Sequence, residues 1–481
     1  MSHEAEFYID GRWTGPAQPG RSIVVVDPST EEEVARVAAA SPADVDAAVR
    51  AAHAALPAFA VTTPEERLDL LTAVLEAYRR RRPEIEEAMI TEVGIPRAFV
   101  EAAQAPIGER HLEAAIEVLR DFPFEQEWGS TRLVREPVGV CALLAPWNWP
   151  MNQSIAKVAP ALAAGCTMVL KPSQYAPLSA LLLAECVDEA GAPAGVFNML
   201  NGAGAELGEA FSGHPLVDMV SITGSTSVGA EVARCAAPGI KRVSQELGGK
   251  SANVIFEDVA VAKAVKAGVM GVMRNSGQSC NAPTRMLVAR EVYDEAVAVA
   301  AEVAAGVRVG DPRDPDTVMG PVAGRRQFET VTGYIEQGLA EGARLVAGGP
   351  GRPDGCERGF YVRPTVFADV RPSMRIFREE IFGPVLCMTP FAGEDEAVAL
   401  ANDSEFGLSG YVSSGDLERA RRVARRMRTG MVHLNGAPPD WYAPFGGYKQ
   451  SGNGREWGRY GVEEFLEVKA VMGWDRGQKP G

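Results

Sequence analysis

Residues 138–171 read VGVCALLAPWNWPMNQSIAKVAPALAAGCTMVLK, and this stretch decides the fold class. Val138 to Leu144 is an apolar run of strand length, and Thr167 to Leu170 is another. Between them, after the breaker segment Pro146-Trp147-Asn148-Trp149-Pro150, Asn152 to Ala164 carries apolar residues at helical spacing. The run Val158 to Leu170 lies between Lys157 and Lys171 and contains Pro160 and Gly165. It is too short to span a bilayer and reads as a buried helix followed by a strand. Strand, helix and strand make one βα unit after another, which is how parallel sheets are built.

The texture continues downstream. Gly195 to Leu200 and Met219 to Ile222 read as strands, Leu178 to Ala190 and Ala205 to Phe211 as helices, predicting a mainly parallel sheet with helices on both faces. A second α/β block begins near Ser251, with strands Ala252 to Phe256 and Arg285 to Val288. Its helices are Val259 to Arg274, Glu291 to Ala305 and Arg325 to Glu341. Upstream, Ala43 to Leu56, Pro64 to Arg82 and Arg97 to Leu119 are helical; Ser41-Pro42 and Thr63-Pro64 supply caps followed by first-turn prolines. Thr131 to Glu136 and Glu464 to Val471 stand apart as linking strands, and the tail Asp475 to Gly481 is expected to be loose.

At 481 residues the chain is too long for one simple core, so two or three domains are expected. Charged residues at 23% and hydrophobic ones at 46% are ordinary for a soluble globular protein. A net charge of -15 disfavours a nucleic-acid partner. Seven scattered cysteines without a CxxC pair suggest neither a disulfide framework nor a zinc ribbon. The N-terminus has no basic region followed by an apolar one, so a cytoplasmic protein without membrane association is expected. The five histidines show no ligand spacing, and no metal is expected.

Four segments carry chemistry. In Asn275-Ser276-Gly277-Gln278-Ser279-Cys280 a thiol sits among polar and turn residues, whereas Cys141, Cys166 and Cys186 lie in apolar runs. Cys280 is therefore a candidate nucleophile, with a buried structural thiol as the other reading. Asn148 either serves a turn or donates to an oxyanion. Glu246, in Glu246-Leu247-Gly248-Gly249-Lys250, is either a solvated carboxylate or a general base in a dry cleft. Ser244 stands where a P-loop ending at Lys250 needs glycine, which rejects that motif. Gly202-Ala203-Gly204 is followed by glycine at 208 rather than 207 and reads as a turn.

Thr223-Gly224-Ser225 follows a strand and opens a helix, which is either a capped start or a pyrophosphate site. Lys171-Pro172-Ser173-Gln174 ends a strand where ribose groups bind in open α/β sheets. Glu380 and Phe382, in Glu379-Glu380-Ile381-Phe382-Gly383-Pro384, either hold a second ribose and a ring or form a charged loop with a core phenylalanine.

In this order and spacing, these motifs resemble the NAD(P)-dependent aldehyde dehydrogenase superfamily over nearly the whole chain, from Phe7-Tyr8-Ile9-Asp10-Gly11 to Pro444-Phe445-Gly446-Gly447-Tyr448-Lys449-Gln450-Ser451-Gly452. The resemblance implies an α/β fold with a Rossmann-type dinucleotide-binding domain (1–120 and 138–248) and an α/β catalytic domain (249–450). A small β-stranded bridging element (121–137 and 460–476) would drive homodimer or homotetramer formation.

By the same resemblance, Cys280 is the nucleophile, Glu246 the base and Asn148 an oxyanion donor beside the Cys280 N–H. Lys171, Ser173 and Gln174 serve the adenosine ribose; Trp147, Gly224 and Ser225 the pyrophosphate. Leu247 and Gly248 border the cofactor, Glu380 takes the nicotinamide ribose and Phe382 positions its ring. Trp149, Asn152, Ser279, Asn281, Trp441 and Phe445 match positions lining the aldehyde tunnel.

Gln174 stands where NAD-preferring members often carry glutamate, so NAD use with NADP tolerated is expected. The implied reaction is oxidation of an aldehyde to its acid through a cysteine thiohemiacetal and thioester. Alternatives are a CoA-acylating dehydrogenase, which generally lacks a Glu246-type base, and a catalytically silent relative. A cysteine hydrolase ranks last because no histidine occupies a partner motif.

Overall fold

A computed structural model describes residues 3–474. The tail read as loose lies outside the described residues, as do 475 and 476 of the bridging segment.

The 138–171 unit is present as the strand Val140–Leu144, the helix Pro150–Ala164 and the strand Thr167–Lys171, paired in parallel. It sits at the centre of an eight-stranded sheet. Phe197–Met199 lies beyond Thr167–Lys171, while Met219–Thr223 and Arg242–Glu246 lie on the other side of Val140–Leu144. The order of the chain thus reverses between Val140–Leu144 and Met219–Thr223. The short outer strands Phe7–Ile9, Arg12–Thr14 and Gly452–Asn453 join antiparallel. Every residue of Pro150–Ala164 is buried, which is why its sequence is apolar around the whole helix rather than on one stripe.

The second block is a seven-stranded sheet. Ala252–Ile255 pairs in parallel with Arg285–Ala289 on one side and Ser409–Ser413 on the other; Val385–Phe391, Thr365–Ala368 and Met431–Leu434 lie further out. Its core holds Phe256, Phe367, Phe377 and Phe391. The linking strands Thr131–Pro137 and Leu466–Met472 pair antiparallel over seven residues. Glu125–Trp128 adds a third strand, unforeseen because it is exposed throughout and shows no alternation of apolar and polar residues.

The N-terminal third contains more strand than its helical periodicity indicates: Ser22–Asp27 and Glu32–Ala38 form a separate hairpin. The helix from Pro64 continues through Pro83 to Val93 and stops at Gly94, in the left-handed conformation. Both N-cap positions are as read: Thr63 Oγ1 accepts from Glu66 N, whereas at Ser41 the Asp44 carboxylate accepts from Ser41 N and Oγ. The helix read over Arg97 to Leu119 is interrupted by a π-turn, Val100–Gln104, before Ala105–Arg120. Pro106 has no N–H to continue the ladder, and the wider turn accommodates it. No helix among the described residues is long and apolar enough to cross a membrane.

Candidate active site

Cys280 follows the helix Val261–Met273 through a turn in which Asn275, Ser276 and Gly277 have φ of 53°, 54° and 72°. Such a run is costly unless side chains hold it. Gly277 has room for no Cβ, which would run into the Gly383 carbonyl. Asn275 Nδ2 donates to the carbonyls of Asn148 (2.8 Å) and Gln278 (3.1 Å), and Ser276 Oγ donates to Gly320 O at 2.8 Å. Gln278 Oε1 accepts from Ala323 N at 2.9 Å.

The π-turn aims Gln104 into the same knot, where Nε2 donates to Asn148 O at 3.1 Å. Asn148 is buried, and its Nδ2 donates to Gln278 O at 2.9 Å. An amide nitrogen carries two hydrogens, so one remains for a ligand oxygen. The turn and the Pro-Trp-Asn-Trp-Pro loop are therefore one rigid unit.

Glu246 ends its strand, and the chain then passes directly beneath Cys280: a Cβ on Gly249 would strike the Cys280 carbonyl. Both Glu246 carboxylate oxygens are buried without a hydrogen-bond partner among the described residues. Burial, and next the charge of Glu456, push its carboxyl well above the usual range, while Lys157 and Arg455 pull the other way. Burial also pushes the Cys280 thiol up, assisted by Glu380 and Glu246. Glu380 is pushed to about 7 by burial, against the opposing Gly249 N–H, which donates to Oε1 at 2.9 Å.

A cavity of about 440 Å³ lies where strand order reverses in the first sheet, at the carboxyl ends of its strands, the usual place for a ligand in an open α/β sheet. Trp147 and Asn148 enter it after Val140–Leu144, Gln174 after Thr167–Lys171, Gly224 and Ser225 after Met219–Thr223, and Leu247 and Gly248 after Arg242–Glu246. Glu380, Phe382 and Cys280 close it from the second lobe. Phe382 meets Trp147 edge to face, with centroids 5.5 Å apart. Ser225 caps the helix Thr226–Ala236 by accepting from Val228 N, so both readings of that segment apply to the same atoms. Helix dipole, glycine and a half-buried carboxylate suit a dinucleotide.

Lys171 and Ser173 do not line this cavity. The Lys171 ammonium donates to Pro172 O, and Ser173 Oγ accepts from Tyr175 N.

On the other side of Cys280 a groove of about 920 Å³ opens, with Trp149, Ser279, Asn281 and Trp441 in its walls. Trp149 Nε1 donates to Ser279 Oγ at 2.8 Å. Phe445 and Asn152 sit behind it. Phe445 stacks on Trp457 at 4.4 Å in an apolar cluster against which Cys280 and Trp441 pack, and Asn152 Oδ1 lies 2.6 Å from His111 Nε2. Cys280 thus stands in the partition between two openings.

Several residues of the site carry no local sequence signal: Gln104, Asn275, Glu456, Tyr175, Gln327. Each acts through a contact distant in sequence. A polar residue inside an apolar helical run, such as Lys157, is the one such signal available.

The chain matches the aldehyde dehydrogenase family over residues 13–471. It is 55% identical over 478 residues to a 3-succinoylsemialdehyde-pyridine dehydrogenase of a Pseudomonas species, covering 99% of this chain and 100% of that one. Among solved structures it is similar to a mutant of aldehyde dehydrogenase C from Pseudomonas syringae, crystallised with NAD+ and octanal: TM-score 0.98, 52% identity, 99% of each chain. It is also similar to an aldehyde dehydrogenase of Mycobacterium tuberculosis complexed with NAD+, at TM-score 0.95 and 41% identity, over 97% of this chain and 98% of that one. With this fold, this site and these matches along almost its full length, the chain belongs to the aldehyde dehydrogenase family.

Proposed function

We propose that this protein oxidises an aldehyde to the carboxylic acid using NAD, with Cys280 as nucleophile, Asn148 as oxyanion donor and Glu246 as base. The observation that carries the reading is the position of Cys280 between a dinucleotide-shaped cavity and an aromatic groove, with Asn148 in the first wall and Glu246 buried beneath. Once the Cys280 thiol has lost its proton to solvent, its thiolate sulfur bonds to the aldehyde carbon as the carbonyl π bond breaks, and the oxygen that gains charge is held by the free Asn148 amide hydrogen and the Cys280 N–H. NAD, when bound, supplies the hydride acceptor whose action leaves a thioester on Cys280, and its cationic ring favours thiolate. Glu246 takes a proton from water, the hydroxide adds to the thioester carbon, and Cys280 leaves as the acid is released.

Trp147, Gly224 and Ser225 hold the pyrophosphate, and Glu380 and Phe382 the nicotinamide ribose and ring. Gln174 faces the adenosine ribose with Leu247 and Gly248 on the same wall, and Lys171 and Ser173 behind. The neutral Gln174 supports NADP as a tolerated second cofactor.

The cofactor-binding domain comprises 1–120 and 138–248, the catalytic domain 249–450, and the bridging element 121–137 and 460–476. Exposed Trp128, Val468, Met472 and Trp474 on the three-stranded sheet support pairing with further copies as a homodimer or homotetramer. All seven cysteines are free, which supports a cytoplasmic location.

Incubating the purified protein with octanal and NAD, with and without coenzyme A, tests the reading. Reduced cofactor and octanoate in both cases support it; octanoyl-CoA would establish the acylating alternative, and no cofactor reduction across aliphatic and aromatic aldehydes would establish a silent relative.

A further inference from the structure

The 920 Å³ groove is larger than a small aldehyde needs and has an unusual charge balance for so acidic a protein. Its charged walls are Arg110, Lys263, Arg274 and Asp258. Asp258 already has a partner in Arg419, which it shares with Glu257. Burial alone would raise its carboxyl, but the Gly415 and Asp416 N–H groups and Arg419 hold it at about 2, with Arg419 Nη2 at 2.6 Å. The three cations are different: among the described residues none of them meets a carboxylate. Arg110 instead lies over the Trp441 ring, 5.3 Å from its centroid, and Trp441 packs against the cluster that includes Cys280.

The groove is shaped for something elongated. One wall is the face Phe99, Ala102, Ala103, Ile107 and Arg110, and the other is Ala260, Lys263, Ala264, Ala267, Gly271 and Arg274. The second wall repeats at three- and four-residue spacing along Val261–Met273 and is mostly small; the first spans the π-turn and adds Phe99 and Ile107, and both carry cations. Lys263 and Arg274 are separated by roughly 16 Å along their helix. The floor runs from Ser279 and Asn281, beside the nucleophile, to Asp258 and Ser414 at the carboxyl ends of Ala252–Ile255 and Ser409–Ser413, where strand order reverses in the second sheet.

Resting on the aldehyde-oxidation reading above, we propose that the groove selects aldehydes bearing an anionic group, a carboxylate foremost, at the end remote from the carbonyl, with Arg110, Lys263 and Arg274 as its specificity-determining residues. The walls give the chain of the substrate apolar contact, and the unpaired cations give its tail a counter-charge without desolvating a competing ion pair.

The test compares 8-oxooctanoate with octanal, and 4-oxobutanoate with butanal, at low and high ionic strength. The expected result is a kcat/KM preference of about tenfold or more for the anionic member of at least one pair, shrinking as salt rises. In the triple variant Arg110→Gln, Lys263→Gln, Arg274→Gln, kcat/KM for the anionic aldehyde falls at least about fivefold more than for its neutral partner, and Arg110→Lys restores part of the difference. Neutral aldehydes preferred in both pairs, or a preference the triple variant leaves intact, would overturn the proposal while leaving aldehyde oxidation standing.

Loss of turnover with all four aldehydes would instead count against the reaction. The proposal then stands or falls on binding alone, followed by tryptophan fluorescence: octanedioate must bind more tightly than octanoate to the wild type, and lose that advantage in the triple variant.

Discussion

Lys157 and Glu456, 299 residues apart in sequence, form an ion pair inside the protein, and Lys157 Nζ also donates to Ser221 Oγ at 3.2 Å. Lys157 is 1% exposed and Glu456 8%, so their charges act on Glu246 through protein rather than water. Glu456 raises the Glu246 carboxyl and Lys157 lowers it. Glu456→Gln removes the like charge, so Glu246 ionises more readily and the acid limb of the kcat profile moves to lower pH. Lys157→Met moves that limb to higher pH and costs about 3–5 kcal/mol of stability, because Glu456 is left buried and unpaired. Limbs moving in the same direction in both variants would exclude Glu246 as the group observed. Mutant pH profiles and denaturant melts make the comparison.

Asn148 and Glu246 fail differently when removed. Asn148→Ala lowers kcat by about 10²–10³, the usual effect of losing one oxyanion donor. Its carbonyl contacts with Gln104 and Asn275 are backbone-mediated and survive the change. Glu246→Gln should release a rapid burst of reduced cofactor and then stall, with a thioester on Cys280 detectable by mass spectrometry; Cys280→Ala shows neither. Steady turnover by the glutamine variant would mean that a different group activates water.

Gln174 lines both the cofactor cavity and an adjoining one of about 480 Å³, and Arg326 lines both as well. An amide does not repel a 2′-phosphate, and Arg326 makes no ion pair among the described residues. Gln174→Glu should therefore lower kcat/KM for NADP at least about tenfold relative to NAD, a differential of about 1.4 kcal/mol. Initial rates with each cofactor suffice, and an unchanged ratio would put the phosphate elsewhere.

The βα rhythm of 138–171 is local, and so was legible: the pattern that makes Thr167–Lys171 a strand lies within five residues. Cys280 could be singled out because it differs from Cys141, Cys166 and Cys186 in its immediate neighbours, and the structure places it at the cavity wall. What fixes Cys280 was not legible, because Asn275 reaches Asn148 across 127 residues and Gln104 reaches it across 44. The π-turn escaped for the same reason: the apolar spacing of 97–119 is helical, and only the tertiary demand on Gln104, with Pro106 following, shows why the ladder slips. Glu125–Trp128 is a strand because Thr131–Trp128 pairing closes a hairpin, not because its side chains bury anything. Lys157 interrupts an apolar helix, but its partner cannot be read from that fact.

Glu380 supplies a pH dependence with a definite sign. Its carboxyl is pushed from 4.5 to about 7 by burial. A raised carboxyl contributes stability that is complete below the unfolded value and lost as pH rises through the folded one. The protein without cofactor therefore loses roughly 3 kcal/mol from this group between pH 4.5 and 7. On the proposed ribose role of Glu380, the charged form is the better acceptor for hydroxyls, so NAD binding would move the opposite way. Its Kd should fall about tenfold between pH 6 and 8, and NAD should raise Tm more at pH 8 than at pH 6. Glu380→Gln has no charge to gain and should flatten both dependences while weakening NAD at high pH. Calorimetric titration of NAD at the two pH values decides it: a Kd that rises with pH would show that Glu380 meets the ribose protonated, as a donor.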